Sequence, residues 1–385
     1  MNERNKLILL FIIFFGICLM PYAFPETGDV SFDPVENSLF MLYFYTSNYL
    51  LPMIPAFLLA GAISAFFPRG EIIKHLEKPT PRYKVYLWSI AAGILLAVYY
   101  STIFPLLAGI RKKKADIGPT MSFLYTACAL NILSIVFTGI ALGLDLFILK
   151  VLFSLIFALL IGATLSKVYR DEKSKYRGMF EYFEELTEGR GFGEIDKVKR
   201  HDAGDIIALL ATLAALLFTA AIGIDVIVKI AAFLILSLVL VLQLRRNFSF
   251  DEIDAWLDET YLLFKKIVPL VWLSVATVGV FAAFISDGSL RSIGWADTLI
   301  KAVATVLFAV ALYFPMLTEI PVGKLLLDLG MNRGVVLAFL LAAPVISPPT
   351  MLVLSRIIGK RKTWTYAILV AVTSILAGLL YSMRI

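Results

Sequence analysis

The chain has 385 residues, of which 60% are hydrophobic and 17% charged, with a mean hydropathy of +0.86. Soluble domains carry roughly 45–50% apolar and about 25% charged residues, so a water-soluble globule is excluded. The formal net charge of +6 is concentrated in loops between apolar runs, which fits cytoplasmic loops facing anionic lipid and argues against a nucleic-acid partner.

Apolar runs long enough to cross a bilayer as helices, about 20 residues each, recur at 7–24, 41–67, 86–109, 118–142, 144–167, 205–223, 225–244, 266–286, 295–317, 334–355 and 363–383. An outer-membrane barrel would show alternating segments of about 10 residues instead. The fold class is an all-α polytopic membrane protein with about 9–11 membrane segments, some broken or re-entrant. LILLFIIFFGICLM is followed by no small-x-small cleavage site, so 1–40 is predicted as an N-terminal anchor helix and an external loop. Residues 41–167 form a first membrane repeat. The long polar stretch 168–204 is a cytoplasmic linker, and its GRGFG lacks the lysine of a phosphate loop. Residues 205–248 form a linking transmembrane hairpin. In SFDEIDAWLDETYLLFKK, Ser249 and Glu252 make a capping box, and Ile253, Trp256, Leu257, Tyr261 and Phe264 share one face. Residues 249–265 are therefore expected to be an interfacial amphipathic helix, with 266–385 as the second repeat.

STIFPLLAGIRKKKADIGPTMSFLYTACALNILSIVFTGIALG (101–143) aligns without a gap on LTEIPVGKLLLDLGMNRGVVLAFLLAAPVISPPTMLVLSRIIG (317–359). The alignment pairs Thr102 with Thr318, Pro105 with Pro321, Gly118 with Gly334, Asn131 with Ser347 and Gly143 with Gly359. Interrupted segments at corresponding places in two halves point to a transporter's midplane site. Basic loops bracket 86–109 on both sides, which a simple crossing cannot reconcile with the positive-inside rule. If 86–109 enters from the cytoplasm and returns near Tyr99–Pro105, and 295–320 does the same from outside, every basic loop lies inside. The N-terminus is then cytoplasmic and the repeats are inverted; full crossings of both segments would make them parallel.

Asn131, midway along an apolar span, is either helix–helix glue or a cavity-lining group, with Thr126, Cys128 and Ser134 beside it. Cys128 also fits a small apolar filler. Neither Cys128 nor Cys18 can build a four-thiolate zinc site within one chain. Ser101, Thr102, Thr318 and Glu319 precede Pro105 and Pro321, and their hydroxyls could simply satisfy carbonyls that the prolines free. Glu319 is either an intramembrane group able to take up a proton or a solvated surface acid. Ser347 and Thr350 lie among Pro344, Pro348 and Pro349, which with Pro105 and Pro321 make five candidate helix breaks. Lys150 and Lys229 lie within two turns of segment ends and could snorkel. Asp145 and Asp225 fall in short turns and are expected to be exposed. His75 and His201 have no metal-ligand spacing around them, no hydrolase constellation stands out, and the sequence implies neither an enzyme, a cofactor nor a metal.

The blocks P-L-x-A-G-x-R-K-K-x-A-x-x-G-P-x-M-S-F-L (105–124) with N-I-L-S-I (131–135), and L-T-E-I-P-V-x-K-x-L-L-D-L-G-M (317–331) with P-x-x-S-P-P (344–349), resemble the two halves of a predicted-permease family of bacteria and archaea. That family includes the organoarsenical efflux permeases. The resemblance runs from about residue 40 to the C-terminus, apart from the central loop, and implies a secondary permease in the cytoplasmic membrane that works without ATP hydrolysis. Members exporting trivalent organoarsenicals carry a cysteine pair just before the first proline block. The matching positions here are Tyr99, Tyr100 and Ser101, so the resemblance implies the permease architecture but no thiolate site for a soft metalloid.

The expected function is a multi-pass secondary permease of the inner membrane that moves a small molecule or ion, with efflux coupled to an ion or proton gradient. Its site is expected between the repeats, lined by Thr102, Asn131, Glu319, Ser347 and Thr350. A passive channel with the same lining and a non-transport scaffold or lipid-handling protein are the alternatives. The expected partners are the bilayer, the solute and, as an open question, a second copy of the chain.

Overall fold

The computed structural model describes residues 34–50, 52–66, 82–96, 103–104, 107, 116–169, 203–221, 226–282, 295–311 and 317–383. The anchor at 7–24, most of the central loop, and Tyr99, Tyr100, Ser101, Thr102, Pro105, His75, His201 and Asp225 lie outside the described residues. Among the described residues the regular elements are all helical. They are α1 Pro34–Tyr45, which runs into a π-helical turn at Thr46–Leu50, α2 Ile54–Phe66, α3 Arg82–Leu96, α4 Ile117–Ala129, α5 Ile132–Leu142, α6 Leu144–Val168, α7 Ala203–Ala221, α8 Val226–Asn247, α9 Phe250–Ala282, α10 Trp295–Ala311, α11 Glu319–Asp328, α12 Arg333–Ala342, α13 Pro348–Ile358 and α14 Lys360–Ser382. Four of them are long and apolar enough to cross a membrane, or six if each bent pair counts as one span. The sequence suggests more segments because several of its runs are broken into helices too short to span alone.

The run 118–142 is one such case. Leu130 leaves helical geometry and Asn131 is extended, with its side-chain Oδ1 accepting from the N–H of Ser134 at 2.8 Å. Asn131 is therefore the N-cap of α5, and α4 and α5 meet at a 43° bend. This capping role is one the sequence reading did not foresee. The run 334–355 divides in the same way: Ser347, also extended, is the N-cap of α13, with Pro348 and Pro349 in the first two helical positions. Prolines there have no amide to lose and are pre-set for the helix, so they start α13 rather than break it. Pro321 likewise lies in the first turn of α11.

Several local features recur at positions that the sequence alignment pairs. The N-caps Asn131 and Ser347 are aligned positions, as are Gly143 (φ 101°) and Gly359 (φ 92°), which end α5 and α13 in a conformation that only glycine adopts without strain. Helix α4 packs on α6, and α12 on α14, each through a glycine pair. A Cβ on Gly162 would lie 2.8 Å from the Gly118 carbonyl, and one on Gly378 would lie 2.5 Å from the Gly334 carbonyl. The outer stripes correspond too: Ile148, Leu152, Ile156 and Leu160 on α6, and Trp364, Ile368, Val372 and Leu376 on α14, are all exposed. Such a contiguous apolar face suits lipid. Helices α6 and α14 pack antiparallel. Asp145 at the start of α6 accepts from Tyr381 near the end of α14 at 2.9 Å, while Tyr169 beyond the end of α6 shares a 2.8 Å hydrogen bond with Thr365 near the start of α14.

Helix α9 differs from expectation in being one helix across both the predicted interfacial segment and the following span, with Pro269 inside it. The capping box is present, the Glu252 carboxylate accepting from both the Ser249 N–H and the Ser249 hydroxyl at 2.8 Å. Part of the apolar face rests on protein: Trp256 is buried and its indole N–H donates to the Leu58 carbonyl on α2 at 2.9 Å, while Leu257 is exposed.

Candidate functional site

Helix α11 begins inside the bundle. Leu317 has φ 74°, a left-handed conformation that disfavours a leucine, and just after this turn Glu319 meets the first turn of α5 through Ser134. Glu319, the first residue of α11, is 0% exposed, and so is Lys150 on α6. Their closest approach, Lys150 Nζ to Glu319 Oε1, is 3.6 Å. The Ser134 hydroxyl bridges the two, donating to Glu319 Oε1 at 2.9 Å and accepting from Lys150 Nζ at 2.7 Å. Lys150 also donates to the Thr138 hydroxyl at 3.2 Å, and Thr138 in turn donates to the Ser134 carbonyl at 2.7 Å. Two groups of the cluster, Glu319 Oε2 and Asn131 Nδ2, have no partner among the described residues.

Three helices build this cluster. Asn131, Ser134 and Thr138 form a polar stripe on α5, Lys150 projects from the second turn of α6, and Glu319 opens α11. The stripe follows the helical repeat, since residues three and four apart are neighbours on a helix surface. The N-termini of α5 and α11 add the positive ends of two helix dipoles, which favours a carboxylate at this place. A buried ion pair with hydrogen-bonded members is tolerable, whereas removing one member alone typically costs about 3–5 kcal/mol.

Lys150 corrects the sequence reading. It does not snorkel, because the lipid-facing stripe of α6 contains Ile148 and Leu152 while Lys150 shares the inner face with Leu146, Ser154 and Phe157. Lys229 remains only partly buried near the start of α8. Glu319 is buried rather than solvated, and Asp145 stays on the surface in an ion pair with Arg333. Ser347 and Thr350, both buried, hydrogen-bond to each other at 2.8 Å rather than to Glu319. The Thr318 carbonyl accepts from Ser274 on α9 at 3.3 Å. Pro344 lies in the turn between α12 and α13, and the Pro321 carbonyl accepts from Tyr45 at 3.5 Å. Cys128 is buried with a free thiol, and among the described residues no group of three His, Cys, Asp or Glu could hold a metal. The residues that sequence reasoning missed are Lys150 and Thr138. Their signal was present as a stripe at 131, 134 and 138 in an apolar run, beside a lone intramembrane lysine.

A family model described as "Predicted permease" matches residues 37–383. The chain is 31% identical over 335 residues to the UPF0718 protein MJ0584 of Methanocaldococcus jannaschii, which covers 86% of this chain and 91% of that protein. It is 27% identical over 127 residues to the UPF0718 protein YraQ of Escherichia coli K12, which covers 32% of this chain and 35% of that protein. No solved structure matches.

Proposed function

Because the chain belongs to the predicted-permease family, we propose that it is a secondary permease of the cytoplasmic membrane, moving a small solute with its flux coupled to an ion or proton gradient. The observation carrying this reading is the fully buried Lys150–Glu319 pair, joined through Ser134 at a helix break. Ionisable groups at membrane depth are expensive and mark substrate or proton paths. Glu319 is the coupling group in this reading, and the interrupted helices α4–α5 and α12–α13 form the walls that rearrange around it.

In the same reading the two halves are inverted repeats. Antiparallel α6 and α14, which are aligned in sequence, support this, as does the placement of Gly118 and Gly334 at the C-terminal ends of their respective partners. Arg361 and Lys362 lie over the Tyr169 ring at 5.9 and 5.6 Å. Two basic segments thus meet at one end of the bundle, which is the cytoplasmic end by the positive-inside rule.

The test is purified protein in proteoliposomes loaded with a panel of metalloids, organic acids and inorganic anions, with a pH or sodium gradient imposed. Gradient-dependent flux supports the permease, and flux indifferent to every gradient indicates a channel. Single cysteines at positions 113 and 333 should label from opposite sides of the membrane, and labelling from the same side would sink the inverted arrangement.

A further inference from the structure

Resting on the permease reading, we infer that the Lys150–Glu319 cluster is the binding site for a small oxyanion that enters together with one proton. The cluster holds a buried ammonium and one buried amide donor that has no partner among the described residues. Lys150 supplies an ammonium, Ser134 a hydroxyl proton now given to Glu319, and Asn131 an amide donor with no partner. The Ser134 N–H requires an acceptor, which assigns Oδ1 to that bond and leaves Nδ2 as the buried donor without a partner. The N-termini of α5 and α11 add positive potential. Glu319 occupies this donor set as an internal carboxylate, using only one of its two oxygens.

Charge balance names the second ion. With Lys150 and Glu319 both ionised the cluster is neutral, and adding an anion would leave an uncompensated negative charge away from water. One proton on Glu319 Oε2 restores neutrality, turns that unpartnered acceptor into a donor, and frees Lys150 and Ser134 for the anion. The other charged or titratable groups on packed elements do not replace it. Helix α1 presents the Tyr45 hydroxyl to the Pro321 carbonyl, α9 presents the non-ionising Ser274 to the Thr318 carbonyl, α12 carries Arg333 at its exposed end, paired with Asp145 of α6, and α11 itself carries Lys324 paired with Asp328. A cationic solute would leave the Asn131 Nδ2 donor without an acceptor.

The experiment is titration of the purified full-length protein with phosphate, arsenate, nitrate and acetate between pH 6 and 8, read by thermal shift and calorimetry. At least one of the four should bind, and more tightly at pH 6 than at pH 8, as uptake of a linked proton requires. Glu319→Gln should keep the anion and lose the pH dependence. The double variant K150M/E319Q, which leaves no unpaired charge and so should fold, should lose the anion. Absence of binding by all four probes overturns the inference, and so does unchanged binding in the double variant. If proteoliposomes then carry a cation or a neutral solute, the permease reading survives and only the anion site fails; if they carry nothing, the permease reading fails as well.

Discussion

At the first helix break, Asn131 caps α5, and Ser134, Thr138 and Lys150 surround Glu319. At the second, Ser347 caps α13, and the aligned positions hold Thr350, Leu354, Tyr366 and Ile103, all buried. The backbone devices match: an extended cap, a helix of 11 residues, a positive-φ glycine and a long lipid-facing helix behind it. The chemistry differs, since only the first break holds a lysine and a carboxylate. The comparison teaches that the geometry is carried by caps, glycines and outward stripes, which either half can keep, while the ionic site depends on Ser134, Thr138 and Lys150 of the first half and Glu319 of the second, whose aligned positions carry no charge. A carrier needs similar backbones on both sides to rearrange, but it needs charge only where the solute binds.

The first way to break this comparison is to unbalance the charged side. Lys150→Ala or Glu319→Ala should each destabilise by about 3–5 kcal/mol, because the remaining charge is buried and unpaired. Leu354→Ala in the second half should cost about 2–5 kcal/mol through a cavity alone. Thermal unfolding in detergent distinguishes the mechanisms, because K150M/E319Q should recover most of the charged-side loss and no second substitution at a charged site should rescue Leu354→Ala. Failure of that rescue would remove the ion pair from the account.

The shared scaffold should respond equally in both halves. Gly162→Ala and Gly378→Ala each push a methyl against a facing carbonyl and should cost a similar amount, about 1–3 kcal/mol, as overpacking does. A large inequality would show that the two helix pairs are not equivalent. The caps sharpen the contrast at a smaller scale. Asn131→Ala removes a side-chain acceptor of a backbone N–H and should cost about 1 kcal/mol. Ser347→Ala should cost less, since its hydroxyl bonds only to Thr350. The smallest effect belongs to the surface pair Arg333–Asp145, both members substantially exposed, where Arg333→Ala should shift stability by less than about 1 kcal/mol and less still in high salt.

Much of this was readable in the sequence. The gapless alignment placed Asn131 opposite Ser347 and Gly143 opposite Gly359, and these positions have matching backbone roles. Ser249 and Glu252 announced the start of α9 through local chemistry alone. Asn131 reads in the sequence as glue or lining and is a cap in the structure, because a cap is defined by a break that hydropathy averages away. Lys150 was misread for a related reason. Distance from a segment end allows snorkelling, and only the facing of α6 against α5 and α11, a tertiary fact, decides that the ammonium points inward. Glu319 was legible as an oddity beside Pro321; that its partner stands on the other half of the chain was not.

The most direct test of the account joins stability to transport in one variant. K150M/E319Q, reconstituted beside the wild type, should unfold within a few degrees of it and show no gradient-driven flux of the solute that the wild type carries. A double variant that is folded and transports that solute against the same gradient as the wild type would contradict the claim that this buried pair is the coupling site.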